Sequence, residues 1–168
     1  MEADEIRKLI LKAIYSDEWL YNQLVLKGGN ALSLVYEIGG RSSLDLDFSI
    51  KTDFNNNAEV ASRLFHALKT AFNQIGMEVF DFHLEPKPKI TQDDWWGGYK
   101  VEFKLITKAL AKTLDNRIGD MRRRTITIDA GSQRRKYSIE ISKYKYTEDK
   151  NEVTLDDVRI WVYSPLLL

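Results

Sequence analysis

The six residues from Asp45 to Ile50 alternate strictly between polar and apolar side chains. Successive side chains of a β-strand point to opposite faces of a sheet, so this alternation predicts a strand with period two. Its apolar face consists of Leu46, Phe48 and Ile50. Its other face carries two carboxylates, Asp45 and Asp47. The chain must therefore build a sheet that packs on one face and presents acidic groups on the other.

Helical patterns and further alternating segments surround this strand. Apolar residues at three-and-four spacing predict helices over residues 5–22, 30–38, 57–75 and 109–121. Alternating or apolar runs predict strands over residues 45–50, 77–84, 99–106, 125–129, 137–141 and 158–163. The expected fold is α/β (α+β), a mixed twisted sheet flanked by helices.

Composition excludes several kinds of chemistry. The 168 residues contain no cysteine and two histidines, which argues against disulfides, thiolate catalysis and Cys-ligated or His-rich metal sites. The net charge is zero, so the overall charge gives no sign of a nucleic-acid or lipid partner. No apolar run reaches membrane-spanning length and residues 1–4 are acidic, so we expect a cytoplasmic protein with no membrane partner. Its chemistry must come from carboxylates.

Gly28 and Gly29 separate a short apolar stretch ending at Lys27 from a helical pattern that begins near Asn30. The free N–H groups at a helix start attract anions, and glycine lets a phosphate approach the backbone closely. The same pattern is also that of an ordinary turn in which Asn30 caps the helix. On the glycines alone, the ordinary turn is the favoured interpretation.

Asp45 and Asp47 should project from the same strand face, with Cα atoms roughly 7 Å apart. Carboxylates held so close repel each other, and a shared divalent cation relieves that repulsion. Oxygen ligands without sulfur or imidazole favour Mg²⁺ or Mn²⁺. An isolated Asp-x-Asp pair is also common on the exposed face of an edge strand. The glycine turn, the helix and both carboxylates, all within residues 28–47, together predict a site for a metal-bound triphosphate.

Two sequence blocks resemble a known family. Residues 27–32 read Lys-Gly-Gly-Asn-Ala-Leu, and residues 41–48 read Arg-Ser-Ser-Leu-Asp-Leu-Asp-Phe. Both resemble the AbiEii-type nucleotidyltransferases of the DNA polymerase β superfamily, toxins of type IV toxin–antitoxin systems, some of which act in phage abortive infection. The resemblance implies a polymerase-β-like nucleotidyltransferase fold. It also implies Mg²⁺-dependent (or Mn²⁺-dependent) transfer of a nucleoside monophosphate (NMP) from a nucleoside triphosphate (NTP) to an acceptor hydroxyl.

The resemblance further implies which residues form the site. The residues expected at the triphosphate are Lys27, Gly28, Gly29, Asn30, Arg41 and Ser43. The superfamily also needs a third carboxylate, which completes the metal cluster of Asp45 and Asp47 and acts as base for the attacking hydroxyl. Glu140 and Glu102 are the candidates. We prefer Glu140, because the Ile-Glu-Ile-Ser sequence at residues 139–142 resembles the family's second acidic strand.

Basic residues concentrate between residues 121 and 146, where eight bases face two acids. The candidates for RNA contact are Arg122, Arg123, Arg124, Arg134, Arg135 and Lys136. Such charge runs are more often solvated faces. The resemblance favours RNA as the acceptor, particularly the tRNA 3′ end, with a protein substrate as the second choice. It also implies a cognate antitoxin as partner.

Trp95 and Trp96 lie in a predicted loop between an acidic pair and a glycine pair. Adjacent tryptophans cannot both face one side of a core, so one of them could stack on a nucleobase. The favoured alternative is a loop anchor packed on the sheet.

The catalytic domain is expected to cover residues 1–163, and residues 164–168 to begin a C-terminal helical domain that this chain lacks. The resemblance places a triphosphate-binding lysine in that missing helix, so the chain itself could be a poor catalyst. Two other functions stay open. One is a small-molecule (antibiotic-type) nucleotidyltransferase, and the other is a catalytically silent relative that binds nucleotide or a partner protein.

Overall fold

The computed structural model describes residues 3–35, 45–88, 96–127 and 134–164. The strands in chain order are β1 (Val25–Lys27), β2 (Leu46–Ser49), β3 (Met77–Lys87), β4 (Gly98–Thr107), β5 (Tyr137–Ser142), β6 (Lys150–Leu155) and β7 (Val158–Tyr163). The helices are α1 (Ala3–Tyr15), α2 (Glu18–Gln23), α3 (Gly28–Asn30, continued by a π-helical turn at Ala31–Val35), α4 (Asn57–Gln74), α5 (Lys108–Thr113) and α6 (Ile118–Arg123).

The strands of the described residues form one seven-stranded sheet in the order β3-β4-β5-β2-β1-β7-β6. At its centre, β2 pairs in parallel with β5 and antiparallel with β1. The β5 strand in turn pairs antiparallel with β4. The sheet is therefore mixed and flanked by helices, and the predicted fold class is confirmed.

One face of the sheet packs against α1 and α4 in a single hydrophobic core. The β2 strand contributes Leu46 and Phe48, both fully buried, as its alternation predicts. The core residues of the two helices are Ile6, Ile10, Leu11 and Ile14 from α1, and Val60, Leu64, Leu68 and Phe72 from α4. Because these residues recur at helical spacing, each helix has one apolar stripe to bury. The opposite face is more polar, but toward β3 and β4 it buries Phe80 and Ile106 in a second hydrophobic cluster with Ala111 of α5 and Met121 of α6.

Two predicted helices are each divided in the structure. The helix predicted over residues 5–22 breaks before Asp17, whose carboxylate accepts a hydrogen bond of 2.9 Å from the Leu20 N–H and so starts a new helix, α2. The helix predicted over residues 109–121 breaks between α5 and α6, where Asp115 and Asn116 have φ values of 53° and 56°. In both places a short polar side chain favours a turn over helix continuation.

The strands differ from the sequence prediction in three places. The β3 strand continues through Pro86, because it lies at the sheet edge, where a missing N–H costs no ladder bond. The β6 strand is not predicted by the sequence pattern, since it is a largely exposed edge strand. Residues 125–127 of the strand predicted over 125–129 are not in a strand. Residues 128–130, the end of the helix predicted over 30–38, and the predicted domain start at 165–168 lie outside the described residues.

Within the described ranges, no helix combines the length and the apolar character that a bilayer crossing requires.

Gly98 marks a close approach of β4 to β5. A Cβ atom at this position would lie 1.7 Å from the carbonyl oxygen of Ile141. Only glycine fits there without a shift of the backbone. Glycine at the first position of β4 therefore permits the short distance between β4 and β5.

We expect Gly98→Ala to lower the free energy of unfolding by about 1–3 kcal/mol, because the added methyl group must push the two strands apart. The matched control is Gly119→Ala in α6, where an added Cβ meets nothing within 4 Å. That change should leave stability unchanged or raise it by up to about 1 kcal/mol. Urea denaturation of both variants measures the difference, and equal stabilities would contradict the role given to Gly98.

Candidate active site

Five charged residues form one row across the polar face of the sheet. Directly paired positions on neighbouring strands share a face, and the pairs here are Lys27 with Asp47, Asp47 with Glu140, Glu140 with Lys100, and Lys100 with Glu85. Asp47 and Glu140 are thus held side by side by the parallel pairing of β2 and β5. Two of the three predicted catalytic carboxylates meet in the centre of this row.

Asp47 has an environment that suits a cation. Burial raises the pKa of its carboxyl group, and the negative charges of Glu140 and Asp45 raise the pKa further. Lys27 acts in the opposite direction, but burial lowers the pKa of Lys27 as well. Three carboxylates therefore repel one another at a half-buried position. A divalent cation with oxygen ligands fits this donor set, because it would remove the repulsion.

Gly28 lies against the Asp47 carboxylate. Its φ is +78°, a conformation that other residues rarely adopt, and a Cβ there would lie 3.2 Å from Asp47 Oδ2. The helix that begins at Gly28 widens at once into a π-helical turn at Ala31–Val35. The glycine turn and the metal-capable carboxylate, predicted from separate parts of the sequence, are thus direct neighbours.

Asn30 is 1% exposed, and its Nδ2 donates a hydrogen bond of 2.6 Å to the carbonyl oxygen of Asp45. Its side chain therefore connects α3 to the residue just before β2. A ligand at Gly28 and Gly29 would then contact the backbone of the turn rather than the Asn30 side chain. The sequence prediction placed Asn30 at the triphosphate and did not foresee this tie. Arg41 and Ser43, also predicted at the triphosphate, lie outside the described residues.

Basic side chains bind the carboxylates of Asp45 and Glu140. Arg134 donates from Nη2 to Asp45 Oδ1, and it also donates to Ser138 Oγ at 3.2 Å. Lys87 donates to Glu140 Oε1. Lys87 belongs to β3 and reaches Glu140 across β4, where the residue opposite it is Gly98, which has no side chain to obstruct the path. A metal ion at this site must compete with both cations for its ligands.

Glu102, the alternative third carboxylate, lies one strand farther from Asp47. It pairs with Ser138 on β5 and with His83 on β3, and its Oε1 lies 3.3 Å from His83 Nε2. In the described residues, His83, Glu85 and Glu102 are the one group of three or more potential metal ligands whose ligand atoms all lie within 4.8 Å of one another. The ligand atoms of Asp45, Asp47 and Glu140 are therefore not all within that distance of one another. Glu140 is nevertheless the carboxylate that pairs directly with Asp47.

The six basic residues predicted to contact RNA do not form one free surface. Arg122 donates to both carboxylate oxygens of Asp81 at 2.7 and 2.8 Å, and this contact, together with Lys104, lowers the pKa of Asp81 to about 2. Arg123 pairs with Asp120 at 2.9 Å. Arg135 donates to the Thr125 carbonyl at 2.9 Å, whereas Arg134 holds Asp45 as described above. The remaining two, Arg124 and Lys136, are exposed.

Sequence reasoning missed Lys87 entirely. This residue is 53 positions from Glu140 in the chain, and only the strand order brings them together. The sequence prediction also assigned Arg134 to a surface that binds RNA, whereas the Arg134 side chain forms an ion pair with Asp45. No local sequence signal identifies either contact, because both depend on which strands are neighbours.

Comparison with known protein families assigns the chain to one of them. The family model described as "Nucleotidyl transferase AbiEii toxin, Type IV TA system" matches residues 9–166, which is most of the chain. No curated protein matches the chain. The matched range contains every strand of the sheet and every carboxylate of the site. The chain therefore belongs to the AbiEii family of nucleotidyl transferase toxins of type IV toxin–antitoxin systems, and it is a nucleotidyltransferase.

Proposed function

We propose that this nucleotidyltransferase moves an NMP from a metal-bound NTP to a hydroxyl group of RNA, in particular the tRNA 3′ end. The observation that carries the proposal is the side-by-side placement of Asp47 and Glu140, with the Gly28 turn directly against Asp47. A triphosphate at the turn would then lie beside the carboxylates that bind its metal ions. The toxin family implies an NTP substrate and an antitoxin partner.

Asp45, Asp47 and Glu140 would hold Mg²⁺ or Mn²⁺, and nucleotidyltransferases typically use such ions. When bound, the cation supplies charge neutralisation at the phosphate that is being transferred. The pKa of Asp47 is raised first by burial and then by the negative charges of Glu140 and Asp45, and a bound cation would offset both effects. Oxygen ligands alone suit these hard cations.

The triphosphate would bind to the backbone of Gly28 and Gly29 and to the N–H of Asn30 at the start of α3. Glycine at φ +78° lets the phosphate approach without a side chain between it and the backbone. Lys27 donates to Ser142 Oγ at 3.0 Å and lies beside Asp47, so its charge is placed to attract the same phosphates. Arg41 and Ser43 remain assigned to the triphosphate on the family resemblance.

RNA is the proposed acceptor because two basic side chains, Lys87 and Arg134, lie at the carboxylates. Arg134 lies at Asp45, and Arg135 and Lys136 follow it in the chain. Exposed Arg124 belongs to the same basic segment. Phosphate contacts from these residues would make binding weaken with salt.

The direct test incubates the full chain with each α-³²P-labelled NTP in turn, with Mg²⁺ and total RNA. We expect label in RNA of tRNA size, and we expect Asp47→Asn to remove it. Because Asn keeps the size of Asp but not its charge, the loss would report metal binding rather than packing. Label only in protein, or only in small molecules, would overturn the RNA assignment.

The second test locates the metal. We expect Asp45→Asn and Glu140→Gln to weaken Mn²⁺ binding by at least about 100-fold, because each removes a charged oxygen ligand. Titration followed by electron paramagnetic resonance, in the presence of a non-hydrolysable NTP analogue, measures the affinity.

The matched control is Glu102→Gln, which removes a carboxylate from the same sheet face one strand away. It should leave Mn²⁺ affinity within about 3-fold of the unaltered chain. If Glu102→Gln abolished binding and Asp45→Asn did not, the metal would belong to the group of His83, Glu85 and Glu102, and the proposed site would be wrong.

A further inference from the structure

A pocket of about 290 Å³ opens on the polar face beside Glu140, on the side away from Asp47 and the glycine turn. It lies where β5 ends and β4 begins. Its lining includes Lys87, Trp96, Glu140, Ser142 and Lys145. Those residues assigned above to the triphosphate that the structure describes do not line this pocket, but Lys27 borders it, because its Nζ donates to the Oγ of the lining residue Ser142 at 3.0 Å.

The chemistry of the pocket is aromatic and basic. Trp96 keeps 42% of its surface exposed, although a ring of this size is normally covered where it only anchors a loop. Lys87 and Lys145 are both exposed. An open ring and two lysines in one pocket suit a nucleotide, whose base stacks and whose phosphate is anionic.

The walls of this pocket are fixed by backbone contacts. Gly98 allows β4 to approach β5 at the pocket floor. Beyond the end of β5, Lys145 N donates to the Ile50 carbonyl at 3.1 Å and Tyr144 N donates to the Thr52 carbonyl at 3.1 Å. These bonds continue the pairing of β2 with the chain after β5. The position of Lys145 beside the carboxylates is therefore set by the sheet.

The order of the strands in the sheet defines where the pocket lies relative to the triphosphate. The glycine turn follows β1, Asp47 is on β2, and Glu140 is on β5, next to the pocket. In an in-line transfer, the attacking oxygen and the leaving oxygen lie on opposite sides of the phosphorus. With the triphosphate at the glycine turn, the attacking hydroxyl must approach from the Glu140 side, where the pocket is.

We propose that this pocket holds the 3′-terminal nucleotide of the acceptor RNA, with its base stacked on Trp96 and its phosphate near Lys145. This inference rests on the function proposed above and adds the place of the acceptor to it. The terminal ribose hydroxyl then faces the α-phosphorus of the NTP. Its oxygen forms a new P–O bond, the bond from the α-phosphorus to the bridging oxygen breaks, and pyrophosphate leaves. The hydroxyl proton is released to water.

The experiment uses the full chain and a 12-nucleotide fluorescein-labelled RNA ending in CCA with a free 3′-hydroxyl. Fluorescence anisotropy gives RNA affinity, and titration with a non-hydrolysable NTP analogue gives nucleotide affinity. We expect Trp96→Ala to weaken RNA binding by at least about 10-fold and to leave analogue binding within about 2-fold. Trp96→Phe, which keeps an aromatic face, should recover most of the RNA affinity.

The matched control is Tyr146→Ala, which removes a ring that is 67% exposed and does not line the pocket. Its RNA affinity should stay unchanged. An equal loss of analogue binding in Trp96→Ala would assign the pocket to the base of the NTP, and no loss of either affinity would leave Trp96 without a ligand. Both results overturn the proposal.

Binding and transfer separate this inference from the proposed function. If the unaltered chain transfers no NMP to RNA, yet its RNA affinity depends on Trp96, the proposed function fails and the pocket assignment stands. If transfer occurs and the acceptor KM is the same in Trp96→Ala, the pocket assignment fails and the proposed function stands.

Discussion

The parallel pairing of β2 with β5 is the constraint on which the site depends. It places Asp47 beside Glu140 at a half-buried position, and two carboxylates so placed repel each other. Folding tolerates this arrangement because the opposite faces of both strands bury large apolar residues in the common core. The core thus stabilises a polar arrangement that would be unfavourable in isolation, as is common at functional sites.

Cationic side chains balance that charge from three directions. Lys27 comes from β1, Lys87 from β3 and Arg134 from the segment before β5. Each belongs to a different part of the sheet, so the charge balance exists only when the whole strand order is formed. The same three positive charges lie where a nucleotide or an RNA phosphate would approach. They therefore serve both the stability of the site and its proposed substrates.

Glycine has two separate tasks in this arrangement. Gly28 adopts a positive φ and leaves room beside the Asp47 carboxylate, whereas Gly98 allows two strands to meet without a side chain between them. The first task concerns the triphosphate end of the site and the second concerns the pocket beside Glu140. The two glycines thus shape opposite ends of the row that runs across the sheet.

The sequence by itself determined the elements whose patterns are local. The alternation of residues 45–50 specified β2 and the face of Asp47, although Asp45 lies just before the strand, and the spacing of apolar residues specified α4. Only the tertiary structure decided which strands are neighbours, and hence that Lys87 reaches Glu140 and that Asn30 holds the Asp45 carbonyl. The physical reason is that periodicity records which face of an element is buried, whereas strand order depends on how all the apolar faces pack together.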